Sequence, residues 1–203
     1  MSGTKSAAAR QMEDMGLEWD YEITPETGLR EVEISGRTDE KAWGNQGEIK
    51  IPGLTRCLGI AVLDHSDGSG YAMHFTTENR SVDFSGDANF YETVAAPLQD
   101  FNSALMAHDV DFENAEAVVA GSNYSIQAAD RFLGDSQEMQ EIAKGGAVRG
   151  IAEQYVDNYF GESHAYWDMD DGYMGELTLD LDEKRIDYDP ASDSIRSRVQ
   201  ETV

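Results

Sequence analysis

The sequence predicts an α+β fold: a mixed β-sheet or sandwich with two amphipathic helices packed on it. Three observations predict this. Short apolar runs bounded by glycine, proline and aspartate recur along the chain, as strands closed by turns do. Two longer segments carry apolar residues at helical spacing instead. Those two segments interrupt a longer series of strands, the α+β layout. The 203 residues contain no long low-complexity insert, so a single core is expected.

Residues 1–45 are polar with scattered apolar positions and read as a partly ordered N-terminal extension. Within them only TGLREVEIS (27–35) alternates enough for a strand. The predicted domain covers residues 46–189. GEIKI (47–51) is a short strand, closed by the Pro52-Gly53 turn. CLGIAVLD (57–64) is almost continuously apolar, hence a strand buried on both faces. HSDGSG (65–70) is a turn cluster, and YAMHFTT (71–77) is the next strand. Val94, Leu98, Phe101 and Leu105 lie on one face of a 3.6-residue period, with Pro97 expected in the first turn, where its missing N–H does no harm. AEAVVAG (115–121) is a buried strand ended by glycine, and 122–145 reads as polar surface. AVRGIAEQYVDNYF (147–160) is the second amphipathic helix, with Val148, Ile151, Ala152, Tyr155, Val156 and Tyr159 on one face. HAYWDM (164–169), GELTLDLD (175–182) and RIDYD (185–189) are strands, the last two joined through Asp182-Glu183-Lys184. Residues 190–203 are a C-terminal tail.

Charge is the strongest compositional feature. Forty acidic residues face fifteen basic ones, for a net charge of −25. This is either an acidic surface for a partner or a global adaptation to concentrated salt. At about 1 M the Debye length is about 3 Å and like charges repel little. The acids ignore element boundaries, which favours salt adaptation. The same charge argues against nucleic acid and anionic membranes as partners, since both need Lys/Arg patches. No run of eighteen apolar residues and no signal-peptide h-region is present, so no membrane insertion is expected. The single cysteine, Cys57, can form no internal disulfide, which suits a reducing cytoplasm.

Cys57 and His74, seventeen residues apart, sit in consecutive strands. They are either two core residues or a thiol and its base. His65, His108 and His164 stand alone at turns or element ends and are assigned no chemistry. No histidine falls at metal-ligand spacing from Cys57. WDMDDGYMGE (167–176) lacks the order of a calcium loop. DGSG and DGYMG open no helix, as a phosphate loop would. No metal and no cofactor is implied.

The collinear series Cys57, Asp64, Gly70 and His74, then Tyr91, Ala95-Ala96-Pro97-Leu98, AVVAGSNY and DGYMGE leading into LTLDLD, resembles the CheD family of chemoreceptor glutamine deamidases. More distantly it is similar to the Cys/His deamidase domain of the cytotoxic necrotizing factors. The likeness spans about Gly47 to Tyr188. It implies a protein substrate, such as chemoreceptor-like helices, and a protein-glutamine deamidase or glutamate methylesterase. Three positions depart from the family. Thr55-Arg56 replace a Gly-Ser step before the cysteine, Ile51 stands where the family has a site threonine, and Glu176 replaces an arginine. The rival reading is therefore an inactive binding or structural protein of the same fold, from a halophilic system.

Amide hydrolysis by a thiol needs a thiolate, a base within reach, a group that orients the base, and donors facing the oxyanion. Cys57 and His74 are the candidate nucleophile and base. Backbone N–H groups at Arg56 and Cys57 are the candidate oxyanion donors, and the Arg56 charge would favour the thiolate. Thr55 or a main-chain carbonyl is the candidate orienting group. Pairing through a tight Asp67-Gly68 turn would face Ala61 to His74 and leave Cys57 about 13 Å along the strand. A wider loop centred between His65 and Ser66 would place Cys57 opposite His74.

Overall fold

The apolar run after Cys57 becomes a central strand, Leu58–Asp64, with every residue buried. Around it the computed structural model describes residues 19–34, 39–54, 57–75, 89–121, 149–160, 164–166 and 175–189. In chain order the strands are β1 (Tyr21–Ile23), β2 (Glu31–Glu33), β3 (Glu40–Gly44), β4 (Glu48–Ile51), β5 (Leu58–Asp64), β6 (Gly70–Phe75), β7 (Ala115–Gly121), β8 (His164–Tyr166), β9 (Glu176–Asp180) and β10 (Arg185–Asp189). Helix α1 is Asn89–Ala107, and residues 149–160 form α2.

Two mixed sheets result, with orders β1-β3-β6-β5-β7-β8 and β10-β9-β4-β2. The alternation of β5 and β6 divides the core in two. Leu58, Ile60, Val62, Tyr71, Met73 and Phe75 face Leu98, Phe101 and Leu105 of α1 and Ala152, Val156 and Phe160 of α2. Ala61, Leu63 and Ala72 face Ile49 and Ile51 of β4 and Leu177 and Leu179 of β9. The layers are thus helices, larger sheet, smaller sheet. Each such aliphatic side chain removed from water contributes about 1.5–3 kcal/mol before entropy is counted. The sheets approach closely at Gly70, where a Cβ would overlap the side chains of Leu179 and Leu181.

One expectation is extended and another corrected. The segment expected to be partly ordered supplies β1, β2 and β3 to the two sheets, β2 within the strand expected at 27–35, and buries Ile23, Ile34 and Ala42 in the inter-sheet core. These strands are three to five residues long and depend on neighbours, so little periodicity marks them. Pro97 lies inside α1 and not in its first turn, because the helix begins at Asn89. The interior proline costs a backbone hydrogen bond, and the buried face of Leu98, Phe101 and Leu105 offsets that cost. The β9–β10 hairpin forms as the turn residues suggest. The expected surface stretch 122–145, the start of the second helix and both chain ends lie outside the described residues.

Asp64 pins the β5–β6 turn. Its Oδ1 accepts from the Ser66 N–H at 2.8 Å and the Ser66 hydroxyl at 2.6 Å. Its Oδ2 accepts from the Asp111 N–H at 2.8 Å, tying this turn to the segment before β7. Burial pushes the carboxyl pKa up, but these hydrogen bonds outweigh it and hold Asp64 below the usual carboxylate range.

Candidate active site

One rung of the larger sheet holds the candidate base. His74 of β6 pairs with Gly59 of β5 on one side and Glu40 of β3 on the other. Gly59 in turn pairs with Ala120 of β7. Residues opposite one another share a face, and Ala42, Ala61 and Ala72 put this face against the smaller sheet.

Cys57 precedes β5 by one residue, is half-buried, and packs against the same inter-sheet cluster. It lies two positions before Gly59, the ladder partner of His74, and one residue before the ladder begins. Continued past Leu58, that register would make it a diagonal neighbour of His74, for which Cβ atoms are about 7–8 Å apart. The observed register falls between the two anticipated ones. Leu63 pairs with Gly70, and the Asp64 N–H donates to the Ser69 carbonyl at 2.8 Å, which closes the loop over His65–Gly68. Neither the direct Cys57–His74 opposition nor the Ala61–His74 pairing occurs. The physical reason is the Asp64 and Asp67 side chains, which cap the loop at Ser66 and Ser69 and set its length.

His74 is 2 % exposed, and its Nδ1 has no hydrogen-bond partner. Burial pushes the imidazole pKa down, while the charges of Glu40 and Asp39 oppose that shift without cancelling it. The ring is therefore neutral near pH 7 and able to take a proton. Gly59 matters on the same rung, because a Cβ there would crowd Leu54 Cδ1 at 3.0 Å and Ile51 Cδ1 at 3.3 Å. Ile51, at the position of the expected threonine, is 1 % exposed in the inter-sheet apolar cluster and has no polar side-chain atom, so its side chain orients nothing by hydrogen bonding. Thr55 and Arg56 lie outside the described residues.

A cation that sequence reading passed over is bound to the end of β7. Arg149, 1 % exposed and the first described residue of α2, donates from Nη1 to the Gly121 carbonyl at 2.6 Å and from Nε to Glu153 Oε1 at 2.8 Å. Gly121 has φ +92°, and a Cβ there would strike the Cys57 carbonyl oxygen. The guanidinium is thus held by the peptide that abuts the thiol-bearing residue. The signal was present in the sequence: Arg149 lies three and seven residues before Ala152 and Val156, a cation on an apolar face. Glu40 was also passed over, because it falls in the supposed extension.

Among the described residues, no three His, Cys, Asp or Glu side chains come together to hold a metal ion, and no helix is long and apolar enough to cross a membrane. Residues 167–174 of the calcium-like stretch lie outside the described residues. His65 and His108 lie toward the opposite end of β5 and β6.

No protein-family model matches the chain, and no curated protein matches it. Among solved structures, the chain has a weak likeness in fold to the hypothetical protein YfiH of Bacillus licheniformis, at 9 % identity and a TM-score of 0.33. That alignment covers 71 % of this chain and 64 % of the YfiH chain.

Proposed function

We propose that the protein is a CheD-like Cys/His amidohydrolase that deamidates glutamine side chains of a protein substrate. The observation that supports this reading is a half-buried thiol one residue before β5, two positions from the ladder partner of His74, whose buried Nδ1 has no hydrogen-bond partner. His74 takes the Cys57 proton, and the thiolate attacks the side-chain amide carbon. Collapse of the tetrahedral intermediate breaks the C–N bond, and the imidazolium gives its proton to departing ammonia. Water, deprotonated by His74, then hydrolyses the thioester to glutamate and restores the thiol. The net reaction is glutamine plus water to glutamate plus ammonia.

The rival, a binding or structural protein of the same fold, draws on the burial of His74 and on Leu54 and Ile51 over Gly59. The test is incubation with candidate proteins in high salt, following ammonia and a mass increase of about 1 Da per site, the amide-to-acid swap. Wild type should release ammonia, and Cys57→Ala and His74→Ala should not. Equal release by wild type and Cys57→Ala, or none from any candidate alongside an inert Cys57, would overturn the enzyme reading.

A further inference from the structure

We propose that Glu40 is the positioning residue of this site, the carboxylate that orients His74 from the neighbouring strand. The inference rests on the Cys57–His74 reading above. That reading needs an orienting group: Ile51 is apolar, the candidate Thr55 lies outside the described residues, and a base held by nothing samples both tautomers. The register supplies one. Glu40 stands directly opposite His74 in the β3–β6 ladder, on the same face, with Cβ atoms about 4.5–5.5 Å apart. A glutamate side chain is long enough to span that gap to Nδ1, the ring nitrogen that is buried without a partner. Accepting a hydrogen bond from Nδ1–H would leave Nε2 bare, as the base requires.

The groups facing His74, among the described residues, are few. The charges felt at the ring are Glu40 of β3 and Asp39 just before it, and Cys57 lies just before β5, two positions from the ladder partner Gly59. Leu54 and Ile51 cover the neighbouring Gly59 and carry no charge. Glu40 is the stronger of the two acidic influences on the ring, and it alone sits on the His74 rung. The arrangement would join the N-terminal strand to the chemistry: a Cys57–His74–Glu40 series drawn from β5, β6 and β3.

The test is the NMR titration of the His74 ring in wild type, Glu40→Gln, Glu40→Ala and Asp39→Asn, with the fold of each checked by circular dichroism. Loss of the Glu40 charge should lower the His74 midpoint by about one pH unit. Ring ¹⁵N shifts should move from an Nδ1-protonated tautomer toward a mixture, which a purely structural loss would not produce in a folded variant. Asp39→Asn should shift the midpoint less. An unchanged midpoint and tautomer in either folded Glu40 variant, or an equal effect of Asp39→Asn, would overturn the proposal. The titration reads His74 whether or not any amide is cleaved, so a failure of ammonia release in wild type sinks the reaction and not this coupling.

Discussion

The indole Nε1 of Trp19 donates a hydrogen bond to Nε2 of His108 at 2.6 Å. An indole N–H only donates, so that imidazole nitrogen must be unprotonated. The ring is packed beside Trp43, with centroids 4.6 Å apart, and Tyr71, at 5.7 Å. The bond also anchors the entry to β1, and with it the N-terminal part of the larger sheet.

A pH dependence of stability follows. Burial pushes the His108 pKa below its ordinary value, with Glu22 and Asp109 opposing less strongly, and His74 is shifted the same way. The unfolded chain then binds more protons than the native one below about pH 6.5. The stabilisation is complete above that pH and is lost as pH falls toward the depressed native values. Urea midpoints measured from pH 8 to 5 should fall below about 6.5, and His108→Gln, which keeps an acceptor for Trp19, should flatten the slope. An identical slope in that variant would remove His108 from the account.

The reactivity of Cys57 is the cheapest check on the chemistry. The thiolate is the nucleophile, and a base that takes the thiol proton raises its reactivity. Alkylation of folded wild type at pH 7 should therefore outpace that of His74→Ala severalfold. Labelling that occurs only on unfolding would favour the non-enzymatic reading.

Arg149 should be more costly to remove than a surface arginine. Arg149→Ala leaves the Gly121 carbonyl without its guanidinium donor and opens a cavity, at about 3 kcal/mol. Arg149→Lys can donate but cannot reproduce the two-nitrogen fork, so it should fall between wild type and alanine. Denaturant unfolding of the three proteins measures this, and a loss of less than about 0.5 kcal/mol in the alanine variant, the range of ordinary surface changes, would contradict it.

Salt should stabilise the fold strongly. With a net charge of −25, self-repulsion is large in dilute buffer and screened in molar salt. The thermal midpoint should rise steadily with KCl between 0.1 and 2 M, and a flat response would leave the acidic surface to be explained by a partner.

The legible parts of this fold were those with local signals. β5 and β7 were readable as apolar runs closed by turns, and the Leu98–Phe101–Leu105 face as a helix, because each pattern is complete within one segment. β2 lay within the strand expected at 27–35, but β1 and β3 were not legible, since each is three to five residues long and gains its stability from a strand partner. The site divided along the same line. The candidate cysteine and histidine were proposed from their types and spacing, but the register of their strands was not legible, because side-chain hydrogen bonds within the loop decided it.

By itself the sequence determined the α+β class, the acidic surface, the lone thiol and the strand pair that carries it, since composition and periodicity are properties of the chain alone. Only the tertiary structure decided that Glu40 stands opposite His74 and that Arg149 reaches the peptide beside Cys57. Both relationships join residues distant along the chain, and such contacts exist only after the sheets have paired and the helices have docked.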